Sequence, residues 1–151
     1  MTQLNVIRQT QVEKRLLKFL IEGLHNTFAW EIRGDDVSRK LSTLKFITRS
    51  FQSHMERLMG LEEREGYMDI VLEKHPELSK QVEALRHEHD EFRQQIGLLV
   101  IELERVAPTD QNSLNKVCER AAALLKKVDA HNRKEADIFQ EAFEREEGGE
   151  G

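Results

Sequence analysis

The sequence predicts an all-α protein, a single antiparallel four-helix bundle in up-down-up-down order. Apolar residues recur at near-heptad steps through most of the chain, which is the spacing of helices that pack side by side. The 151 residues include only two prolines and eight glycines, and 38% hydrophobic with 34% charged residues suits amphipathic helices better than a β-rich domain. This length suffices for one hydrophobic core, so we expect one domain.

Three loop signals divide the chain into four helical segments. They are the charged, glycine-containing residues 33–36, the His-Pro pair at 75–76 and the polar run 107–113. We therefore expect helices at about 4–32, 36–73, 77–106 and 113–146. Together they form one domain over 1–146, and the glycine-rich end, 147–151, is expected to fray.

Local signals mark where the helices begin and where one of them bends. Pro76 is suited to the first turn of the third helix, because its fixed φ matches a helix start. Gly66 interrupts a strong pattern, so we expect the second segment to bend there and leave a short helical turn before Pro76. The residues suited to cap helices are Asp35 or Asp36 for the second, and Asp110, Asn112 or Ser113 for the fourth.

Each segment has one apolar face, and these faces are predicted to form the core. The first face is the least regular, because Gln11 and Lys14 interrupt it. The members of the four faces, in chain order, are Ile7, Leu17, Leu20, Ile21, Leu24 and Phe28; Leu44, Ile47, Phe51, His54, Leu58 and Leu61; Val82, Leu85, His89, Phe92, Ile96, Leu99 and Leu103; and Leu114, Val117, Ala121, Leu124, Val128, His131, Glu135, Ile138 and Ala142.

Four polar side chains are predicted to meet at one level of the bundle. In neighbouring antiparallel helices, two residues lie at the same height when their sequence midpoint falls in the connecting loop. The midpoint of His89 and His131 falls in the loop 107–113, and that of Glu62 and His89 falls at the His75-Pro76 turn. Glu135 lies four residues after His131, hence on the same helix face. Residues from three helices therefore converge.

Two imidazoles and two carboxylates form a ligand set suited to iron, manganese or zinc, and residue type alone does not choose among these metals. The alternative is structural: a buried His–Glu pair hydrogen-bonded across the core, or glutamates that reach water at the edge of the face. His54, which also lies on an apolar face, is a fifth candidate ligand. His25 is interpreted as a helix-end histidine, and His75 and His87 are predicted to be solvated.

Charge and hydropathy exclude several partners. The net charge of -5, with both signs interspersed, gives no basic stripe for a phosphate backbone, so we expect no nucleic acid. No stretch approaches the ~18 apolar residues of a membrane span, and the first residues lack the apolar run of a signal peptide. We therefore expect no membrane partner and a cytoplasmic location. The sequence does not decide between a monomer and a dimer that associates through Phe19, Trp30 and Phe46. It does not identify a protein partner either.

Over nearly its whole length the chain resembles hemerythrin-like proteins, the HHE cation-binding domains. The resemblance lies in LMGLEEREGY at 58–67, PEL at 76–78, LRHEH at 85–89 and HNRKEADIF at 131–139. It implies a four-helix bundle with a non-haem di-iron centre that serves oxygen binding, sensing, storage or repair. By similarity, Glu62 and Glu135 resemble the bridging carboxylates, and His89 and His131 resemble terminal ligands.

The chain departs from this family pattern in two places. Where the family has a histidine four residues before the glutamate of the second helix, this chain has Leu58. His54 is one further turn away, roughly 12 Å from Glu62 along the helix axis. The first helix has no histidine at the corresponding level, which falls at about 7–11. The resemblance therefore implies a reduced site that holds one ion, two weakly ligated ions or none.

Three functions follow as hypotheses from these residues. The first is a cation-binding protein, with iron as the expected metal and zinc or manganese as alternatives, that senses or holds a metal or oxygen species. The second is a metal-free bundle that acts as a regulatory or interaction module. An enzyme is the third, but the sequence has no CxxC, no glycine-rich phosphate loop and no nucleophile elbow.

Overall fold

The structure, a computed structural model, describes residues 3–33, 36–64 and 66–148. Its helices are α1 (Gln3–Phe28), α2 (Asp36–Glu63), the short α3 (Tyr67–Lys74), α4 (Ser79–Arg105) and α5 (Gln111–Gly148). Within the described ranges no residue forms a β-strand. Helix α1 packs on α2, α2 on α4, and α4 on α5, while α5 returns to α1. The predicted all-α bundle is confirmed.

Helix α1 ends at Phe28, four residues before its expected end. The ammonium group of Lys40, on α2, donates hydrogen bonds to the carbonyl oxygens of Phe28 at 2.8 Å and Trp30 at 3.1 Å. These carbonyls would otherwise be unsatisfied at a helix end. Lys40 is only 4% exposed, so a buried charge fixes the turn between α1 and α2.

The predicted bend near Gly66 separates α2 from α3. A Cβ atom at this position would lie 2.1 Å from the carbonyl oxygen of Leu61 and 2.7 Å from that of Glu62, so the close approach requires glycine. The helical turn expected before Pro76 is α3, and Pro76 itself opens a 3₁₀ turn, Pro76–Leu78, that leads into α4. The bend brings Tyr67 to the end of α2.

Asp110 is the residue that caps the last helix, α5. Its carboxylate accepts hydrogen bonds from the backbone N–H of Ser113 at 3.1 Å and from the Ser113 hydroxyl at 2.7 Å. These bonds hold the pKa of Asp110 below its ordinary value. The side chains of Asp35 and Asp36, and residues 149–151 of the predicted tail, lie outside the described residues.

The buried faces agree with the sequence on α4 and α5 and differ in register on α1 and α2. All seven predicted positions of α4 are buried. On α2 the buried face passes through Phe51, Met55 and Met59, which places His54 at its edge. On α1 the buried face includes Val6, Glu13 and Leu17. These residues are seven and then four positions apart, which places them on one side of the helix.

Two apolar clusters make up the core. The larger cluster includes Leu58 of α2, Phe92 of α4 and Val128 of α5. The smaller one joins α3, the start of α4 and the end of α5, and its members are Met68, Val71, Leu78, Val82, Leu85, Ile138 and Ala142. The level at which Glu62, His89, His131 and Glu135 are predicted to meet therefore lies between two apolar layers of the core, one towards each end of the bundle.

Two further features bear on the expected partners. Phe19 and Phe46 are 72% and 73% exposed, and Trp30 is 46% exposed, so all three offer apolar surface to a partner. Among the described helices, none has both the length and the apolarity to cross a membrane.

We predict that Lys40→Met lowers the free energy of unfolding by roughly 1.5–3 kcal/mol, the usual range for hydrogen bonds to a charged group. The two carbonyl groups at the end of α1 lose their donor in this variant. Lys45→Met on the same helix is the control, because Lys45 makes a partly exposed ion pair with Glu104 at 4.0 Å. Its cost is below about 1 kcal/mol in urea unfolding. Equal losses in the two variants would contradict a capping role for Lys40.

Candidate metal centre

Three helices bring the four predicted side chains together in one buried layer. Glu62 comes from the last turn of α2, His89 from the middle of α4, and His131 and Glu135 from α5. All four are at most 2% exposed. The two imidazole rings lie 4.9 Å apart between centroids, and the edge of the Phe92 ring packs against His131.

The distances within this layer are compatible with a common ion. One ligand atom each from His89, His131 and Glu135 lies within 4.8 Å of the others. Glu135 Oε1 is 2.8 Å from His131 Nε2 and 3.6 Å from His89 Nε2. Two donors bound at 2.0–2.2 Å to one ion lie about 3–3.6 Å apart, depending on the bond angle. Small side-chain movements therefore suffice to place an ion among the three atoms.

A carboxylate outside the layer orients each imidazole ring. Nδ1 of His89 is 2.9 Å from Glu63 Oε1, and Nδ1 of His131 is 3.2 Å from Glu88 Oε1. Glu63 and Glu88 are themselves fixed by cations, Arg93 at 2.8 Å and Lys134 at 3.3 Å respectively. A carboxylate on Nδ1 favours a proton there, so Nε2 is the nitrogen that would bind an ion, in exchange for the hydrogen bond that it donates to Glu135 in the metal-free protein. Nε2 is the atom that faces Glu135 in both rings.

The opposite side of Glu135 faces α1 and Tyr67. Lys14 Nζ lies 3.6 Å from Glu135 Oε2 and 5.9 Å from the centre of the Tyr67 ring. A cavity of about 300 Å³ lies between α1 and α5, with Glu135, Lys14 and Tyr67 in its lining and apolar side chains such as Ile7 around them. Glu135 thus borders this cavity, while the other three residues of the layer do not line it.

Several buried polar atoms of this layer lack a hydrogen bond of normal geometry. Among the described residues they include Glu62 Oε2, Glu135 Oε2, His89 Nε2 and the Tyr67 hydroxyl oxygen. A buried polar atom left in this way typically costs 1–3 kcal/mol, so a cluster of four needs a reason. A cation bound between the two imidazoles and Glu135 would take up the free nitrogen of His89, so the donors of His89, His131 and Glu135 fit a metal ion. Glu135 Oε2 has the ammonium group of Lys14 at 3.6 Å instead.

The pKa values of the two carboxyl groups in this layer, Glu62 and Glu135, are shifted in opposite directions. Burial, and then the contact with Glu135, raises the pKa of Glu62 well above its ordinary value. For Glu135 burial works in the same direction, but the neighbouring imidazoles outweigh it and its pKa is lowered. Burial disfavours the charged form of His131, yet its bonds to Glu135 and Glu88 raise its pKa. At a pH between the lowered pKa of Glu135 and the raised pKa of Glu62, the Glu62 carboxyl is protonated and the Glu135 carboxylate is ionised.

The Tyr67 hydroxyl group belongs to the same electrostatic unit. Burial is the main cause that raises the pKa of its phenol, and the two nearby carboxylates, Glu135 and Glu62, raise it further. The phenol therefore stays protonated and can donate to either carboxylate. From the sequence, Tyr67 could be either an ordinary core aromatic or a neighbour of the site, and the bend at Gly66 places it beside the two carboxylates.

The structure does not bring His54 into the layer. Its Nδ1 atom lies 2.7 Å from Glu13 Oε2, and Arg57 donates to the other oxygen of the same carboxylate at 3.1 Å. Glu13 is a buried acid of α1 that the sequence faces did not include, and it is 5% exposed. The position of His54 at the edge of the α2 face turns its ring towards α1. The expectation that His54 contributes a fifth ligand finds no geometric support.

The remaining histidines also lie apart from the layer. His25 is exposed in the last turn of α1, with its ring edge against Phe28, as expected for a helix-end histidine. His87 is exposed and lies 3.3 Å from Glu91. His75 was predicted to be solvated, and this was wrong: it is 9% exposed, because the turn between α3 and α4 folds onto the smaller apolar cluster.

The fold and this layer define a class: helix bundles whose inward-facing His and Glu side chains form a cation site. A protein-family model described as the hemerythrin HHE cation binding domain matches residues 12–143. The chain therefore belongs to this family. A search of curated proteins and a search of solved structures each found no match.

We predict that Glu62→Gln makes the chelator-treated protein more stable at pH 7, by roughly 1 kcal/mol or more. The ordinary pKa of this carboxyl is 4.5, and the folded value is higher. Above pH 4.5 the unfolded chain releases a proton that the folded chain keeps, so the free energy of unfolding falls as pH rises. The amide cannot ionise, and its N–H₂ group can donate to Glu135 as the protonated carboxyl does.

Glu63→Gln is the matched control for this prediction. Burial opposes the ionised form of Glu63, but Arg93 and His89 outweigh it and its pKa is lowered. Its contribution to stability is present above the ordinary pKa and is lost as pH falls, so the substitution destabilises the protein at pH 7. Urea unfolding at pH 5, 6 and 7 compares the two variants. A Glu62 variant with the same pH slope as the parent protein would show that Glu62 is ionised in the folded state.

Proposed function

We propose that this protein binds a non-haem iron ion between α4 and α5 and senses or holds metal or oxygen species rather than catalysing a reaction. His89, His131 and Glu135 are the proposed ligands, with Glu62 as a further carboxylate. Bound iron supplies a redox-active centre that exchanges electrons with small molecules. The role of the chain is to hold and orient these donors and to keep water away from them.

The observation that carries this proposal is the orientation of the two imidazoles. Each presents Nε2 to the same carboxylate while Nδ1 is held by a different one, Glu63 for His89 and Glu88 for His131. This carboxylate–histidine arrangement is what fixes the tautomer and direction of histidine ligands in metal sites. With a metal bound, the same two carboxylates would keep Nε2 of each ring directed at the ion.

The donor set favours a borderline or hard divalent ion. Imidazole nitrogen with carboxylate oxygen suits iron, zinc and manganese, and the donors of the layer do not include the sulfur that would favour softer metals. Membership of a cation-binding family favours iron among the three. Glu135 itself borders the cavity between α1 and α5.

The second candidate function is a metal-free module that regulates or binds another protein. It is favoured by Leu58, which is 3% exposed and packs in the larger apolar cluster at the position where the family pattern has a histidine. Exposed Phe19 and Phe46 give such a module apolar surface for a partner. Metal uptake distinguishes the two candidates.

We predict that the purified, chelator-treated protein takes up ferrous iron stoichiometrically under anaerobic conditions, and that His131→Ala combined with Glu135→Ala abolishes uptake. His131→Gln, which retains a polar side chain, tests the same point if the double variant folds poorly. His54→Ala is the control and keeps full uptake, because His54 pairs with Glu13 instead. Elemental analysis after gel filtration measures the iron, and circular dichroism checks the fold. A parent protein without affinity for iron, zinc or manganese contradicts the proposal and leaves the metal-free module.

We also predict that Glu88→Ala weakens metal affinity by about tenfold to a hundredfold without changing the number of ions bound. Glu88 holds Nδ1 of His131, so its loss leaves the ring free to rotate and makes Nε2 a poorer donor. Glu91→Ala, one turn further along α4, leaves affinity unchanged, because Glu91 contacts exposed His87 instead. Competition with a chromophoric chelator measures both. Equal affinities in the two variants would show that Glu88 does not position a ligand.

A further inference from the structure

The two oxygen atoms of Glu135 face different partners. Oε1 lies 2.8 Å from His131 Nε2 and 3.6 Å from His89 Nε2. Oε2 lies 3.6 Å from the ammonium group of Lys14. The carboxylate therefore lies between a side with two imidazoles and a side with one ammonium group, carried by a side chain that is 47% exposed.

The lysine side of Glu135 is poor in metal donors. Leu58, one turn before Glu62, is buried and apolar, and α1 presents Lys14 with the uncharged side chains of Thr10 and Gln11 around the cavity. Among the described residues, the candidate metal cluster has two imidazoles, and both face Oε1. An ion at Oε2 would have carboxylate and phenol oxygens as donors but no nitrogen.

Lys14 is held in this position by more than one contact. Its ammonium group lies 5.9 Å from the centre of the Tyr67 ring, within the range of a cation–π interaction. A Lys side chain on a helix points towards the N-terminus, so Lys14 extends towards the level of Gln11, and its ammonium group lies beside Oε2. An ion at the same oxygen would meet a like charge at close range, with the repulsion partly screened by water around the exposed part of Lys14.

We propose that Lys14 takes the place of a second cation, so that this site holds a single metal ion on the side of His89 and His131. This inference rests on the proposed function, because it specifies how many ions the layer accepts. Glu135 then bridges a metal ion and an ammonium group. Lys14 also repels the bound ion, which lowers affinity relative to a neutral side chain of the same length.

The test is a titration of the chelator-treated protein with Co²⁺, read by visible absorption and by elemental analysis after gel filtration. The parent protein takes up one equivalent. Lys14→Met also takes up one equivalent, and its affinity is at least about tenfold tighter because the neighbouring positive charge is gone. Lys18→Met, one turn further along α1 and exposed, is the matched control and keeps the parent affinity. Iron-loaded parent protein gives the EPR signal of isolated high-spin ferric ions.

Three results of these experiments would contradict the number of ions, the role of Lys14 or the proposed function itself. Uptake of two ions by the parent protein, or a coupled ferric pair without an EPR signal, overturns the inference while the proposed function stands. An unchanged affinity in Lys14→Met overturns the role of the lysine. If neither the parent protein nor Lys14→Met binds Co²⁺ or iron, the proposed function fails and the inference fails with it.

Discussion

The rest of the site depends on one constraint, the burial of the ionised Glu135 carboxylate between two apolar layers of the core. A charge in such a place needs hydrogen-bond donors or opposite charges close by, and His131, His89 and Lys14 each place a nitrogen within 3.6 Å of its oxygens. The imidazoles in turn need partners at their second nitrogens. Two paths of polar contacts therefore run outwards from Glu135, one through His131, Glu88 and Lys134, and one through His89, Glu63 and Arg93.

These two paths explain why the outer residues matter as much as the inner ones. A buried hydrogen-bonded network is stable when every member has a partner and costly when one member is removed. The glutamates beside the imidazoles are partly exposed, so they can be exchanged for other residues without loss of the fold. Their effect is instead on which imidazole nitrogen is basic and where it points, which is the property that metal binding depends on.

Helical periodicity and short connections were sufficient to predict the bundle, and the levels of facing residues were sufficient to predict that Glu62, His89, His131 and Glu135 meet. The faces of α1 and α2 were less predictable, because a buried acid such as Glu13 and an edge histidine such as His54 do not follow apolar spacing. A shift of one residue in the face of α2 decides whether a ring points to the core or to α1.

The outer carboxylates and Lys14 could not be identified from the sequence with the same confidence. The chain has 28 acidic residues, so Glu63 and Glu88 do not stand out by type, although the midpoint rule places each at the level of the imidazole it contacts. Lys14 reaches the layer through the direction of its side chain rather than the height of its Cα atom. Tyr67 reaches it through a chain bend, which depends on backbone packing around Gly66.

The end of α2 has a consequence for kinetics. Glu62 lies in the last turn of that helix, immediately before the bend, whereas His89 and His131 lie within long helices. Helix ends open far more often than helix centres, and such local opening needs no global unfolding. For any ion held in the layer, Glu62 is therefore the first donor to detach. Fraying of one helical turn would then free a position on the ion for a small molecule, while His89, His131 and Glu135 on the long helices keep the ion bound.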